Sequence, residues 1–483
     1  MNTKALKQKI LDLAIHGKLV AQNPDDESAS VLLEKIRAEK AKLVAEKKMK
    51  ADKKDSFIFV GDDDRHYEKF ADGTVKDIED EIPFELPEGW CIVHPNQIGT
   101  FQGGQTPSVD EIVKTGNIPY FKVSDMNVSG NELYMNIVSN YLKSNCSYRL
   151  FPKDSIIYPK NGGAVFTNKK RILTATSLID LNSGAFIPSK SINNLYAYYL
   201  FSSIDFNHHY KGSAVPTVDH DSINELFWGL PPIAEQQRIV SAIQSIFSKI
   251  DTLEQNKSDL LTAIKQAKSK ILDLAIHGKL VAQDSNDEPA EELLKRIAAR
   301  NSEDESPFEI PDSWKWCTGN DLFNPMTSKK PSGEKFRYID IDAIDNKKHC
   351  VIQPKSIAVS EAPSRASREL NTGDVLFSLV RPYLENIALI EEQNSDCIAS
   401  TGFYVCKPKE VLFPKFLFYL MTSEYVVKGL NQFMKGDNSP SINSNDIKNW
   451  LYPLPPLSEQ KRIAWKIEAL FARLEAIQNE LAV

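Results

Sequence analysis

The sequence predicts an α+β chain: two globular mixed α/β domains joined by a long antiparallel coiled coil, pseudo-two-fold, with a circularly permuted repeat. Three observations lead there. A fourteen-residue segment is written twice, a second set of matches runs at a different offset, and an apolar seam continues for about five heptads. Lys9–Gln22 reads KILDLAIHGKLVAQ and recurs as Lys270–Gln283, an offset of 261 that also relates Leu32, Leu33 and Ile36 to Leu293, Leu294 and Ile297. At an offset of 224, Pro83–Pro87 and Trp90 match Pro307–Pro311 and Trp314. The same offset carries Gly212, Pro216 and Ile223 onto Gly436, Pro440 and Ile447, and Leu230-Pro231-Pro232 with Glu235-Gln236 and Arg238-Ile239 onto Leu454-Pro455-Pro456 with Glu459-Gln460 and Arg462-Ile463. The two offsets differ by 37, which marks an insertion in the first copy.

The elements follow in chain order. Residues 1–40 are one part of a helical region, with Leu6, Ile10 and Leu13 on its seam. Residues 41–80, rich in Lys and Asp, read as an exposed charged arm. Residues 81–230 form the first mixed domain, and its variable part, 86–230, equals 310–454 in span. Residues 231–305 hold the central helix. Apolar side chains at Ile239, Ile243, Ile246, Ile250, Leu253, Leu260, Ile264, Ala267, Ile271 and Leu274 step by four and three, except across Lys257. Pro231-Pro232 mark its entry and Gly278 its stop, as Gly17 stops the first copy. About 44 residues at 1.5 Å each span roughly 66 Å. Residues 306–454 are the second domain, and 455–483 carry Ile463, Ile467, Leu470, Leu474, Ile477 and Leu481 on the matching seam. Val483 corresponds to Asp259 and Met1 to Thr262, so adjacent termini are expected. The stripe takes its partner from the terminal pieces; a homo-oligomeric coiled coil is the alternative. Within the variable segments, Ser155–Tyr158 and Asp374–Phe377 read as strands, and Leu195–Ser202 and Pro414–Met421 as aromatic helices.

At 483 residues the chain exceeds a single core. The six cysteines contain no C-x-x-C pair and read as reduced thiols, which fits a cytoplasmic protein without structural zinc. No run of about 18 apolar residues spans a membrane. The net charge of −7 places any nucleic-acid surface in a local patch. In the first domain that patch is Lys160-Asn161-Gly162-Gly163 with Lys169-Lys170-Arg171, in a stretch free of acids from Ser155 to Ile179. Glycines let backbone N–H groups approach phosphates, and lysine and arginine neutralise them. Ser364-Arg365, Arg368 and Arg381-Pro382-Tyr383 form the counterpart, and Lys211-Gly212-Ser213 and Lys435-Gly436-Asp437 lie near the two exits.

Catalytic and metal sites are not expected. Phe101-Gln102-Gly103-Gly104 runs into Thr106-Pro107 rather than a helix, and Asn324-Pro325-Met326-Thr327 lacks the second proline of a base-holding segment. No G-x-x-x-x-G-K-[ST] loop occurs. Asp340, Asp342 and Asp345 read as outward residues of a strand, His208-His209 as surface or capping histidines, and His16 and His277 as helix-end residues.

The pair L-P-P-x-x-E-Q-x-R-I and I-L-D-L-A-I-x-G-K-L-V, in permuted order over the whole chain, resembles the specificity subunit of type I restriction–modification systems. Gly103–Ser108, Ala362–Ala366, Val380–Tyr383 and Ser400–Phe403 are similar to stretches of that family's target-recognition domains. The resemblance adds Gln105, Thr106, Ser400 and Thr401 to the candidate DNA contacts. It implies that each variable domain reads half of a split double-stranded DNA target. It implies a helical rod that sets the gap and docks two modification subunits using S-adenosylmethionine. Restriction–translocation subunits using ATP and magnesium complete the assembly, and none of that chemistry belongs to this chain. The other readings are a self-sufficient methyltransferase, which the missing motifs disfavour, and a coiled-coil interaction scaffold that reads no DNA.

Overall fold

In the computed structural model the described residues are 2–46, 56–143, 147–297 and 306–482. They divide into two compact units, Met1–Glu254 and Gln255–Val483. The boundary falls inside one 44-residue helix. The helices used below are α1 (Thr3–Ile15), α2 (Ala29–Ala45), α3 (Asn194–Ser202), α4 (Ile233–Ile276), α5 (Ala290–Arg296), α6 (Pro414–Met421) and α7 (Leu457–Ala482). The expectation of adjacent termini falls on Met1 and Val483, outside the described residues.

In the first unit, α1 runs antiparallel to the first half of α4. Lys7 Nζ meets Asp251 at 2.5 Å and lies over the Phe247 ring, and Leu11 and Ala14 share a core with Ile239, Val240 and Ile243. The second unit repeats this with its own segments. Lys268 Nζ meets Glu475 at 3.0 Å and lies over Phe471, and Leu272, Ala275 and Ile276 share a core with Ile463 and Ile467. The buried stripe differs in part from the expected seam. Ile239, Ile243, Ile250, Ile264, Ile463 and Ile467 are buried as expected. Leu6, Ile10, Leu13, Ile246, Ile271, Leu274, Leu470, Leu474 and Leu481 are half-buried, while Leu253, Leu260 and Ile477 are exposed. The physical reason is that the helix ends pack into domain cores as well as on each other, whereas Leu253 and Leu260 lie mid-helix, outside those cores. The domains therefore take the face carrying Leu11 and Ala14, or Leu272 and Ala275.

Two turns with identical geometry stop the recurring helices. Gly17 (φ +65°) and Gly278 (φ +69°) lie one residue past the caps His16 and His277. Lys18 N donates to Leu13 O and Lys279 N to Leu274 O, both at 2.8 Å. Each histidine Nδ1 lies 2.7 Å from the carbonyl four residues back, Asp12 O or Asp273 O, so both are helix-end residues as expected.

The L-P-P-x-x-E-Q-x-R-I motif ties each helix start to its domain. Trp90 Nε1 donates to Glu235 (3.0 Å) and Trp314 Nε1 to Glu459 (2.9 Å). Burial raises the pKa of both carboxyls. Gln236 accepts from Asn193 N and donates to Pro231 O; Gln460 accepts from Phe413 N and donates to Pro455 O. Arg238 grips Asp26 and Arg462 grips Asp287 through both terminal nitrogens, the shorter bond being 2.6 Å in each case.

Each unit is built round its two largest sheets. The first holds five strands in the order Gly99–Gly103, Ser183–Pro188, Ile156–Pro159, Arg171–Leu173, Tyr134–Met135, and a four-stranded sheet containing Ile118–Phe121. The second unit holds Phe323–Asn324, Phe403–Pro408, Val375–Ser378, Ile387–Leu389, and a second sheet of four strands. The aromatic helices lie where expected. Phe201 of α3 stacks on Phe186 at 5.2 Å, and Phe416 and Leu417 of α6 share the core of Val375 and Phe377.

The insertion differs from the expected exposed arm. Among its described residues, Ser56–Val60, His66–Phe70 and Val75–Asp77 form a three-stranded antiparallel sheet. Ile58 and Ile78 are buried with Ile92, and Gln97 donates to Ser56 O at 2.9 Å. The acids gather in the turn Asp62–Asp64, leaving enough apolar residues on the strands to dock the sheet. The part of the expected arm at 47–55 lies outside the described residues.

Candidate nucleic-acid interface

A strand ends and turns at the same place in both units. After Ile156–Pro159, Lys160 N donates to Asn182 O (2.7 Å), Lys160 O accepts from Val218 N (2.9 Å), and Gly162 N donates to Pro216 O (2.8 Å). After Val375–Ser378, Leu379 N donates to Gly402 O (2.8 Å), Leu379 O accepts from Ile442 N (3.0 Å), and Arg381 N donates to Pro440 O (2.7 Å). Asn161 bridges to Thr217 as Val380 bridges to Ser441. The residue after each bridge has positive φ, +76° at Gly162 and +47° at Arg381, and a 3-10 turn follows, Gly163–Thr167 or Pro382–Leu384. The exits turn alike, through Gly212 (φ +88°) and Gly436 (φ +97°). A common backbone clamp thus presents Lys-Asn-Gly in one unit and Leu-Val-Arg in the other.

Further expected residues of the first unit gather at this clamp. Gly104 N donates to Ser183 O and Gln105 N to Ile179 O, laying Gly103–Thr106 beside the loop that receives Lys160. Thr106 Oγ1 accepts from Leu181 N at 3.3 Å, and Asn161 Nδ2 donates to Leu181 O at 3.4 Å. Gly104 has no room for a side chain, because a Cβ would stand 2.0 Å from Asp180 O. Gly163, Gln105 and Ser213 are exposed. Lys211 is exposed and paired with Asp219 at 3.1 Å.

The basic run 169–171 is not a surface patch. Lys170 is 3% exposed, donates to Asn168 Oδ1 and Ile204 O (2.6 Å each), and stands 4.1 Å from the Phe206 ring centre. Burial pulls its pKa down to about 7. Arg171 is half-buried, donating to Lys170 O and Met126 O, and burial lowers its pKa as well. Lys169 reaches Asn127 Oδ1. The strand Arg171–Leu173, which Lys170 directly precedes, lies between two others, so the end of the run is not at an open edge.

In the second unit Arg381, Tyr383 and Lys435 are exposed around the clamp, and Lys435 pairs both backbone groups with Ser441. Ser364 and Arg365 are exposed, and Arg365 O accepts from Thr401 N at 2.8 Å. Ser400 is fully buried and accepts from Gly402 N, so it offers nothing to a groove. Arg368 is half-buried with its Nε enclosed, and Thr401 is half-buried.

Sequence reasoning missed the apolar rim of each clamp. Phe166 and Tyr210 meet edge to face at 5.0 Å with Leu181 and Val215 exposed nearby in sequence, and Leu384 and Phe433 are exposed in the second unit. Their signal was an aromatic or branched residue inside a Gly- or Pro-flanked turn. It missed Asn168 too, whose left-handed backbone closes the first 3-10 turn. The run YIDIDAID is a strand to Ile339 and again at Ile344–Asp345; between them Asp340 caps a 3-10 turn, and Asp342 pairs with Lys355. Among the described residues no His, Cys, Asp or Glu group has the arrangement of a metal site, and no helix is long and apolar enough to cross a membrane.

A family model described as "Type I restriction modification DNA specificity domain" matches residues 87–263 and 311–483. The EcoAI specificity subunit of a type I restriction enzyme from Escherichia coli is 26% identical over 550 residues, covering 97% of this chain and 88% of that protein. The EcoEI specificity subunit, also from Escherichia coli, is 24% identical over 568 residues, covering 99% and 90%. A crystal structure of the HsdS subunit from Thermoanaerobacter tengcongensis aligns with a TM-score of 0.34 at 39% identity, over 36% of this chain and 46% of that one.

Proposed function

The chain belongs to the family of type I restriction modification DNA specificity proteins, and from that premise we propose how its two units divide the work. Its role is DNA recognition within a type I restriction–modification complex, and catalysis belongs to other subunits. Each unit reads one half of a bipartite double-stranded target through its clamp and the loops around it. The observation that carries this is a shared backbone frame with different side chains: the bonds to Pro216 and Pro440 recur, whereas the first unit has Lys160-Asn161-Gly162 where the second has Leu379-Val380-Arg381. A common scaffold with unlike reading points suits two unlike half-sites.

The terminal helices and α4 form an antiparallel coiled coil of permuted, pseudo-two-fold design. In support, Lys7–Asp251 and Lys268–Glu475 are one contact made twice, by segments in opposite chain order. This coil sets the distance between half-sites and docks two modification subunits. Those subunits use S-adenosylmethionine to methylate adenine; restriction–translocation subunits add ATP and magnesium, and the assembly works in the cytoplasm on DNA, with no membrane.

Mapping methylated adenines across the host genome, with and without this gene, tests the reading. A two-part motif with a fixed gap should vanish on deletion. A motif that persists, or a contiguous one, overturns it.

A further inference from the structure

We infer that Arg381 is the base-reading residue of the second unit, its guanidinium taking the O6 and N7 edge of a guanine in the major groove. The inference deepens the split-target reading and rests on it. Arg381 holds a backbone conformation (φ +47°, ψ +56°) that residues with a Cβ seldom adopt. The matching place in the first unit is a glycine. The conformation is enforced from outside: Arg381 N donates to Pro440 O, Val380 bridges to Ser441, and Pro382 is buried directly behind. A strained backbone persists where the surroundings over-determine it, which here fixes where the side chain leaves the surface.

The side chain itself is exposed. Among the described residues its guanidinium donates to one acceptor, Asn438 O at 3.0 Å, through one terminal nitrogen. That bond steadies the planar group and leaves most of its five donors unspent. A held, exposed, forked donor matches the paired acceptors of guanine and suits them better than a single phosphate oxygen. Arg365 differs: its exposed side chain rises from ordinary backbone with no such hold. The neighbours of Arg381 on the rim, Tyr383 and Leu384, are exposed and uncharged, and the acid that closes the turn, Glu385, lies 4.0 Å from His349 Nε2.

The test uses the full chain reconstituted with its modification subunits and a random-sequence duplex library. Wild type should enrich a two-part motif. R381G, whose backbone prefers this conformation, should melt no lower than wild type. It should lose one G·C pair's information from one half only, and bind the wild-type motif roughly 5- to 160-fold more weakly. R381K keeps the charge but not the fork and should lose the same base preference. An unchanged motif in R381G overturns the inference. So does a loss equal across all sequences that R381K restores with the salt dependence, since that is the behaviour of a phosphate contact. If wild type enriches no two-part motif, the split-target reading falls and Arg381 with it.

Discussion

Lys170 shows how far a residue's chemistry depends on its neighbours. Its ammonium is enclosed by Asn168, Ile204 and Phe206, and burial holds its pKa near 7, below the usual 10.5. Between those two values the unfolded chain binds the extra proton and the folded chain does not, so this group makes stability rise with pH. From pH 7 to 9 the rise should be on the order of 2 kcal/mol. Asp205 is the charged neighbour that opposes the shift. Replacing Lys170 with Met should flatten the pH dependence of the unfolding free energy by that amount. An equal slope in wild type and variant would show that the ammonium is solvated. Asn168 Oδ1 also accepts from Phe206 N, so the variant should loosen the turn beside the clamp.

At the scale of elements, recurring motifs act as couplings between separate segments. Arg238 binds Asp26 in the loop after α1, and the guanidinium's hydrogen bonds pull the Asp26 carboxyl below the usual range. A charge-assisted pair of this kind contributes about 1.5–3 kcal/mol, toward the lower end here because Arg238 is one-third exposed. Arg238→Ala should therefore raise hydrogen exchange in Thr3–Ile15 and the loop to Ser28, and leave α7 and its partner Asp287 untouched. Equal loss of protection in both units would mean that the couplings do not act separately. Trp314 and Glu459 form a second kind of tie in the second unit, the counterpart of Trp90 and Glu235. Trp314→Ala removes a buried ring and leaves Glu459 with Gln283 as its remaining donor, and should cost about 3–5 kcal/mol in denaturant unfolding.

For the whole molecule, the helix α4 runs unbroken through both units. Its mid-region side chains Leu253, Leu260 and Leu261 are exposed, so an insertion there disturbs no domain core. Four added residues lengthen a helix by about 6 Å and keep nearly the same face forward. Inserted after Gln255, they should shift the preferred gap between half-sites by one or two base pairs in the reconstituted complex. An unchanged gap would show that the helix does not set the spacing.

What the residue order determined by itself was the architecture: the doubled segment, both offsets, the helix limits at Ile233 and Ile276, and the two aromatic helices. Those are properties of pattern, since periodic apolar positions and Gly or Pro stops act locally. Only the tertiary structure decided which polar residues remain at the surface. Lys169-Lys170-Arg171 read as a basic patch, yet Asn168, Ile204 and Phe206 enclose Lys170, and Ser400 is buried at the end of its strand. The 56–78 sheet was hidden behind the charge of its turns, and the seam shifted where helix ends enter domain cores. The clamp joins residues about sixty apart in sequence through backbone groups, and backbone bonds leave no mark on side-chain identity. Its traces in the sequence are the glycines of the exits, Gly212 and Gly436, and the pair Pro216 and Pro440, whose carbonyls hold the two reading points.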